Sequence, residues 1–173
     1  MKVLFATLIA LASLSSVAAQ SFVPIAPKRG NFSLAFSIQW FGQAGFAPIT
    51  SIQFNPGYFL ADAIELRTPV AYIRGTAGNE TVYGLGVRWH PLKTFASKSN
   101  PLVDPFVGVI YQHAHAGTSF NEDFSAVLAG LNYFVARNVA ITGAYQIGSD
   151  RPSGSHQTTL DASIGFTIFF SGK

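Results

Sequence analysis

Eight stretches of this chain alternate large apolar residues with small or polar ones at period two. After residue 19 no apolar run approaches the roughly 18 residues that a membrane-spanning helix needs. Successive side chains leave a strand on opposite faces, so a period of two predicts a strand with one greasy and one polar side. The clearest case is NFSLAFSIQW (31–40). Phe32, Leu34, Phe36, Ile38 and Trp40 fall on one face, and Asn31, Ser33, Ala35, Ser37 and Gln39 on the other. The pattern returns over 51–60, 63–74, 82–90, 103–113, 125–135 and 138–148, with Ile110 an apolar exception on a polar face. It closes over 158–170, where Leu160, Ala162, Ile164, Phe166, Ile168 and Phe170 oppose Thr159, Asp161, Ser163, Gly165 and Thr167.

Alternation alone does not say which face is inside. Composition does, since the chain is 49% hydrophobic and 14% aromatic but only 11% charged, with a mean hydropathy of +0.31. Strands of about ten residues suit a tilted crossing of a bilayer. Ala61-Asp62 and Ala136-Arg137 read as tight turns, whereas Gly42 to Ile49, Gly75 to Glu80, Ala114 to Glu122 and Ser149 to Gln157 read as longer loops. Short connections at one end and long ones at the other are the barrel pattern; only His90 to Leu102 breaks it. Trp40, Tyr58, Tyr72, Trp89, Tyr111, Tyr133, Tyr145 and Phe170 lie near strand ends, as aromatics at two membrane interfaces would. The expected fold is all-β, an eight-stranded antiparallel up-and-down transmembrane β-barrel. Its apolar face meets lipid, and its last strand pairs with its first because hydrocarbon tolerates no unpaired backbone edge.

Residues 1–19 have the basic start, apolar stretch and small-residue site (Val17-Ala18-Ala19) of a secretory signal peptide. The expected organisation continues with a periplasmic leader over 20–30, the barrel over 31–170 and a tail over 171–173. Losing Lys2 with the signal leaves 10 basic against 8 acidic residues, a formal charge of +2, and no Lys/Arg run points to nucleic acid. There is no cysteine, so an exported chain of this kind is held by hydrogen bonding and burial rather than by disulfides.

An eight-stranded barrel has an interior just wide enough to be filled by side chains. Glu65, Arg67, Arg88 and Asp161 fall on the lumenal face among glycines that leave room for them, and the expectation is an ion-pair network linking some of the four. The expected role of that network is packing rather than proton relay.

Ser163-Ile164-Gly165-Phe166-Thr167-Ile168-Phe169-Phe170 resembles the C-terminal signal, polar-x-Gly-x-x-apolar-x-aromatic, of Gram-negative outer-membrane barrels. The resemblance gives Ser163, Gly165, Ile168 and Phe170 the role of an assembly signal and implies the barrel assembly machinery as a partner; Ser171-Gly172-Lys173 extend beyond it. PGYFLADAIEL (56–66) and LNYFVARNVAIT (131–142) resemble small OmpA/OmpX-type barrels. DPFVGVIYQ (104–112), GTSFNEDFSAVLAGLNYF (117–134) and NVAITGAYQ (138–146) resemble the acyloxyacyl hydrolase or lipid A 3-O-deacylase barrels. Those enzymes carry a His-x-Ser-Asn motif late on the seventh strand. Here the corresponding run is Gln146-Ile147-Gly148-Ser149-Asp150, so no catalytic residue is assigned.

Ser155 and His156 are adjacent, and on a strand they point to opposite faces, which argues against a triad rebuilt from Ser153, Ser155, His156 and Asp161. His113 and His115 share a face but supply only two ligands, fewer than a zinc site requires, so neither a metal nor another cofactor is expected. The sequence reading is a monomeric outer-membrane protein of a Gram-negative bacterium, surrounded by lipid and lipopolysaccharide. Its expected role is structural or surface-interacting, with a lipid A deacylase or a narrow pore as alternatives.

Overall fold

The computed structural model describes residues 24, 28–42, 49–75, 78–91, 102–116, 120–150 and 157–172. Nine hydrogen-bonded segments follow one another: β1 (Phe32–Gly42), β2 (Ile49–Ala61), β3 (Ile64–Arg67), β4 (Val70–Gly75), β5 (Gly78–Trp89), β6 (Val103–Ala116), β7 (Phe120–Ala136), β8 (Val139–Asp150) and β9 (Gln157–Phe170). β3 and β4 are two halves of one strand. The register of β2 runs straight across the gap, from Gly57 opposite Arg67 to Phe54 opposite Val70. The ladder lapses at Thr68-Pro69, opposite Pro56, because proline has no N–H to donate. The pairing is therefore that of eight antiparallel strands, and it closes: β9 pairs with β1 from Phe32 opposite Phe170 to Gly42 opposite Leu160. Closure satisfies the backbone of both terminal strands, as hydrocarbon demands.

Two sequence expectations change. The tight turns sit one residue later, at Asp62-Ala63 and Arg137-Asn138. Each is preceded by the same register shift, between Phe59 and Ala61 in one hairpin and between Phe134 and Ala136 in the other. Ala63 takes a positive φ of 68°. Two of the four expected loops are mostly strand, since β4 and β5 are separated only by residues 76–77, and β6 and β7 only by 117–119. Gly, Asn and Thr read as loop formers, yet a neighbouring strand offers their backbone a ladder and the ladder wins. The expected signal peptide (1–19) and most of the connection from His90 to Leu102 lie outside the described residues.

The faces are sorted as the alternation requires. Ile52, Val127, Ile147, Leu160 and Phe166 are more than half exposed, while the fully buried side chains include Glu65, His90, Asp104, Asn132, Asp161 and Thr167. A chain folded for water would place these two sets the other way round. Gly165 shows how tightly the seam is drawn: a side chain there would collide with the backbone of Phe36 and Ser37 on β1.

Candidate functional site

The lumen is closed at the end that carries the tight turns. Phe59, Phe106, Phe134 and Phe169 are 0–1% exposed and form a floor with His90. Ring centroids lie 5.5 Å apart for Phe59–His90, 6.0 Å for His90–Phe106, 6.4 Å for Phe59–Phe169 and 5.3 Å for Phe134–Phe169. Phe59, Phe134 and Phe169 belong to the aromatic pairs that end their strands, and Phe106 lies near the start of β6. In Tyr58-Phe59 and Phe169-Phe170 one ring goes outward and its neighbour inward, because adjacent residues leave a strand on opposite faces.

On this floor rests a belt of polar side chains. Arg67 Nε donates to Glu65 Oε2 at 2.8 Å, and the Ser33 hydroxyl donates to Glu65 Oε1. Gly57 makes that second bond feasible, since a Cβ at this position would occupy the space of both partners. His90 Nδ1 lies 2.9 Å from Asp104 Oδ2, and its Nε2 lies 3.4 Å from Glu65 Oε2. The belt continues as Asn132 Nδ2 donates to Asp104 Oδ2 at 3.2 Å and Thr142 donates to Asn132 Oδ1 at 2.8 Å. Thr167, 2.7 Å from Thr142, is left to donate to it. The run from Ser33 to Thr167 thus joins residues of β1, β3, β6, β7, β8 and β9 through His90, one residue beyond β5. Burial alone would push the His90 imidazole below its ordinary value of 6.5, but its bonds to Asp104 and Glu65 outweigh that and raise it. Carboxylate oxygens face both ring nitrogens, an arrangement that suits the doubly protonated imidazolium.

Of the four residues expected to share a lumenal network, Glu65 and Arg67 are directly paired. Arg88 lies over the Phe106 ring, 4.2 Å from guanidinium carbon to centroid. Asp161 is apart from them, higher in the barrel, where it accepts a 3.0 Å bond from Gln146 Nε2. Inward alternation grouped the four, but strand tilt and stagger decide which inward positions share a level. His90 and Asp104 were not among them, although both continue the inward parity of Arg88 and of Phe106 and Gly108.

On the outer surface Tyr58, Tyr72, Trp89, Tyr111, Tyr145 and Phe170 are exposed, whereas Tyr133, paired with Val103 and Ile141, is only 7% exposed. The side chain of Trp40 lies outside the described residues. His113 Nδ1 bonds Asp123 Oδ1 at 2.9 Å, and the Tyr111 hydroxyl donates to the same oxygen at 2.7 Å. Of the four residues that the sequence resemblance groups as a C-terminal signal, Phe170 pairs with Phe32, Ile168 with Leu34 and Val139, and Gly165 with Ser37 at the closing seam, while Ser163 faces the lumen.

With this geometry the barrel is similar to the N-terminal β-barrel domain of OprF from Pseudomonas aeruginosa. The TM-score is 0.56 and the identity 16%, covering 82% of this chain and 98% of that one. It is also similar to neisserial surface protein A (NspA), with a TM-score of 0.57 and 14% identity over 81% of this chain and 96% of that one. The chain has the fold of a small transmembrane β-barrel. A de novo designed transmembrane β-barrel matches it too, at a TM-score of 0.54 and 15% identity over 84% of this chain and all of that one. A fold reached by design without a natural function leaves function to be argued from the side chains. No family model matches the chain, and no curated protein matches it in sequence.

Proposed function

We propose that this protein is an outer-membrane barrel of a Gram-negative envelope, exported and inserted by the assembly machinery, with a structural or surface-interaction role. The observation that carries the reading is the filled lumen. A floor of fully buried phenylalanines and a cross-strand belt from Ser33 to Thr167 occupy the space that a solute would need. The exposed apolar outer face supports the membrane placement, since lipid and the acyl chains of lipopolysaccharide are the surroundings in which it is stable.

Purified protein in planar bilayers is expected to show no steady large conductance; a steady large conductance would overturn the closed-lumen reading. Lipid A from cells with and without the protein is expected to have the same acylation. An acyl chain lost only when the protein is present would replace this reading with the deacylase one.

A further inference from the structure

Above the polar belt lies an internal cavity of about 30 Å³, bordered by Arg67 and Arg88. Arg67 is 97% buried and spends only its Nε on Glu65; its Nη1 and Nη2, and Nη1 of Arg88, are buried and have no protein partner. A buried guanidinium with idle donors is costly unless something accepts from them. Among the described residues no carboxylate lines the cavity. Its wall includes instead the hydroxyl residues Ser37 and Ser163 and the apolar side chains of Ile110 and Leu128. The carboxylate nearest in the network is already engaged, Glu65 by Ser33, Arg67 and His90.

We infer that this cavity is a binding site for one small monovalent inorganic anion, of which chloride is the fitting member, held between the guanidinium groups of Arg67 and Arg88. Glu65 offsets one of the two cations from below, and the remaining positive charge faces an enclosed space in which a water molecule would leave it uncompensated. The volume suits about two waters or a single halide and is too small for an organic anion of the size of gluconate. Apolar contacts with Ile110 and Leu128 favour a weakly hydrated ion over a strongly hydrated one. The floor closes the turn end, so exchange runs through the opposite end of the barrel. The inference concerns the lumen alone and holds whether or not the surface role proposed above is right.

The test uses the full chain refolded in detergent micelles, with sodium chloride and sodium bromide as probes and sodium gluconate, too large for the cavity, at matched ionic strength. Three results are expected: protein-dependent broadening of the chloride-35 resonance that bromide displaces, a saturable rise of the thermal midpoint in chloride over gluconate, and loss of both in Arg88→Met. Equal line widths for wild type and Arg88→Met would overturn the site. Should that variant not fold, crystals of the wild type grown in bromide decide the matter. An anomalous peak within hydrogen-bonding reach of both guanidinium groups supports the site, and water alone in the cavity sinks it.

Discussion

The two ends of the lumen are built differently. Toward the tight turns, Glu65, Arg67, His90, Asp104, Asn132, Thr142 and Thr167 form a connected belt over a phenylalanine floor. Toward the other end the lumen carries small apolar residues, Ala71, Val82 and Ala114 with Ile73 against them, and Asp161 is held by Gln146 without an opposite charge among the described residues. Buried charge is tolerated where the geometry holds opposite charges against one another. The turn end supplies that rigidity: two-residue turns fix the β2–β3 and β7–β8 registers, and backbone bonds such as His90 N–H to Ala63 C=O at 2.9 Å and Phe169 N–H to Asn138 C=O at 2.8 Å tie neighbouring hairpins together. The ion pairs sit where the backbone is pinned.

The contrast can be broken most directly at Glu65. Glu65→Ala strips Arg67, His90 and Ser33 of their shared acceptor and is expected to cost about 3–5 kcal/mol of folding free energy, read by reversible unfolding in lipid. A loss no larger than that of an ordinary surface change would show that the belt is not a stabilising unit. On the outer face the two ends should not differ. Phe36→Arg, which places a charge where Phe36 packs on Phe54 at 5.1 Å between ring centroids, is expected to cost about 2–4 kcal/mol near mid-bilayer. An unchanged unfolding free energy would remove the lipid-facing assignment.

At the other end, Asp161→Asn keeps an acceptor for Gln146 and should change stability by about 1 kcal/mol or less in the same assay. A loss matching that of Glu65→Ala would erase the asymmetry. The smallest effect is a pH dependence. Because His90 is raised above its ordinary 6.5 in the fold, its contribution is fully present below that value and is lost as pH climbs through the folded one. The unfolding midpoint should therefore fall as pH rises past that ordinary value in wild type, and this component should vanish in His90→Gln.

Much of the barrel was legible because a strand's period is strict. Reading Leu160 to Phe170 as outward at every second position gave the face, the strand and, with the need to close the sheet, its pairing with β1. The Phe59, Phe134 and Phe169 floor was less legible. Each phenylalanine sits beside another aromatic, and a reading that counts aromatics at strand ends does not ask which of the two turns inward. Asp161 was grouped with Glu65 and the arginines for a related reason, since inward parity carries no height.

Taken alone, the sequence determined which side of each strand meets lipid and that eight strands must close on themselves, because both follow from local alternation and from backbone groups that hydrocarbon cannot satisfy. Only the tertiary structure decided which lumenal residues meet. Tilt and stagger, properties of the whole closed sheet, brought His90 between Glu65 and Asp104, left Asp161 with Gln146, and enclosed a cavity between Arg67 and Arg88.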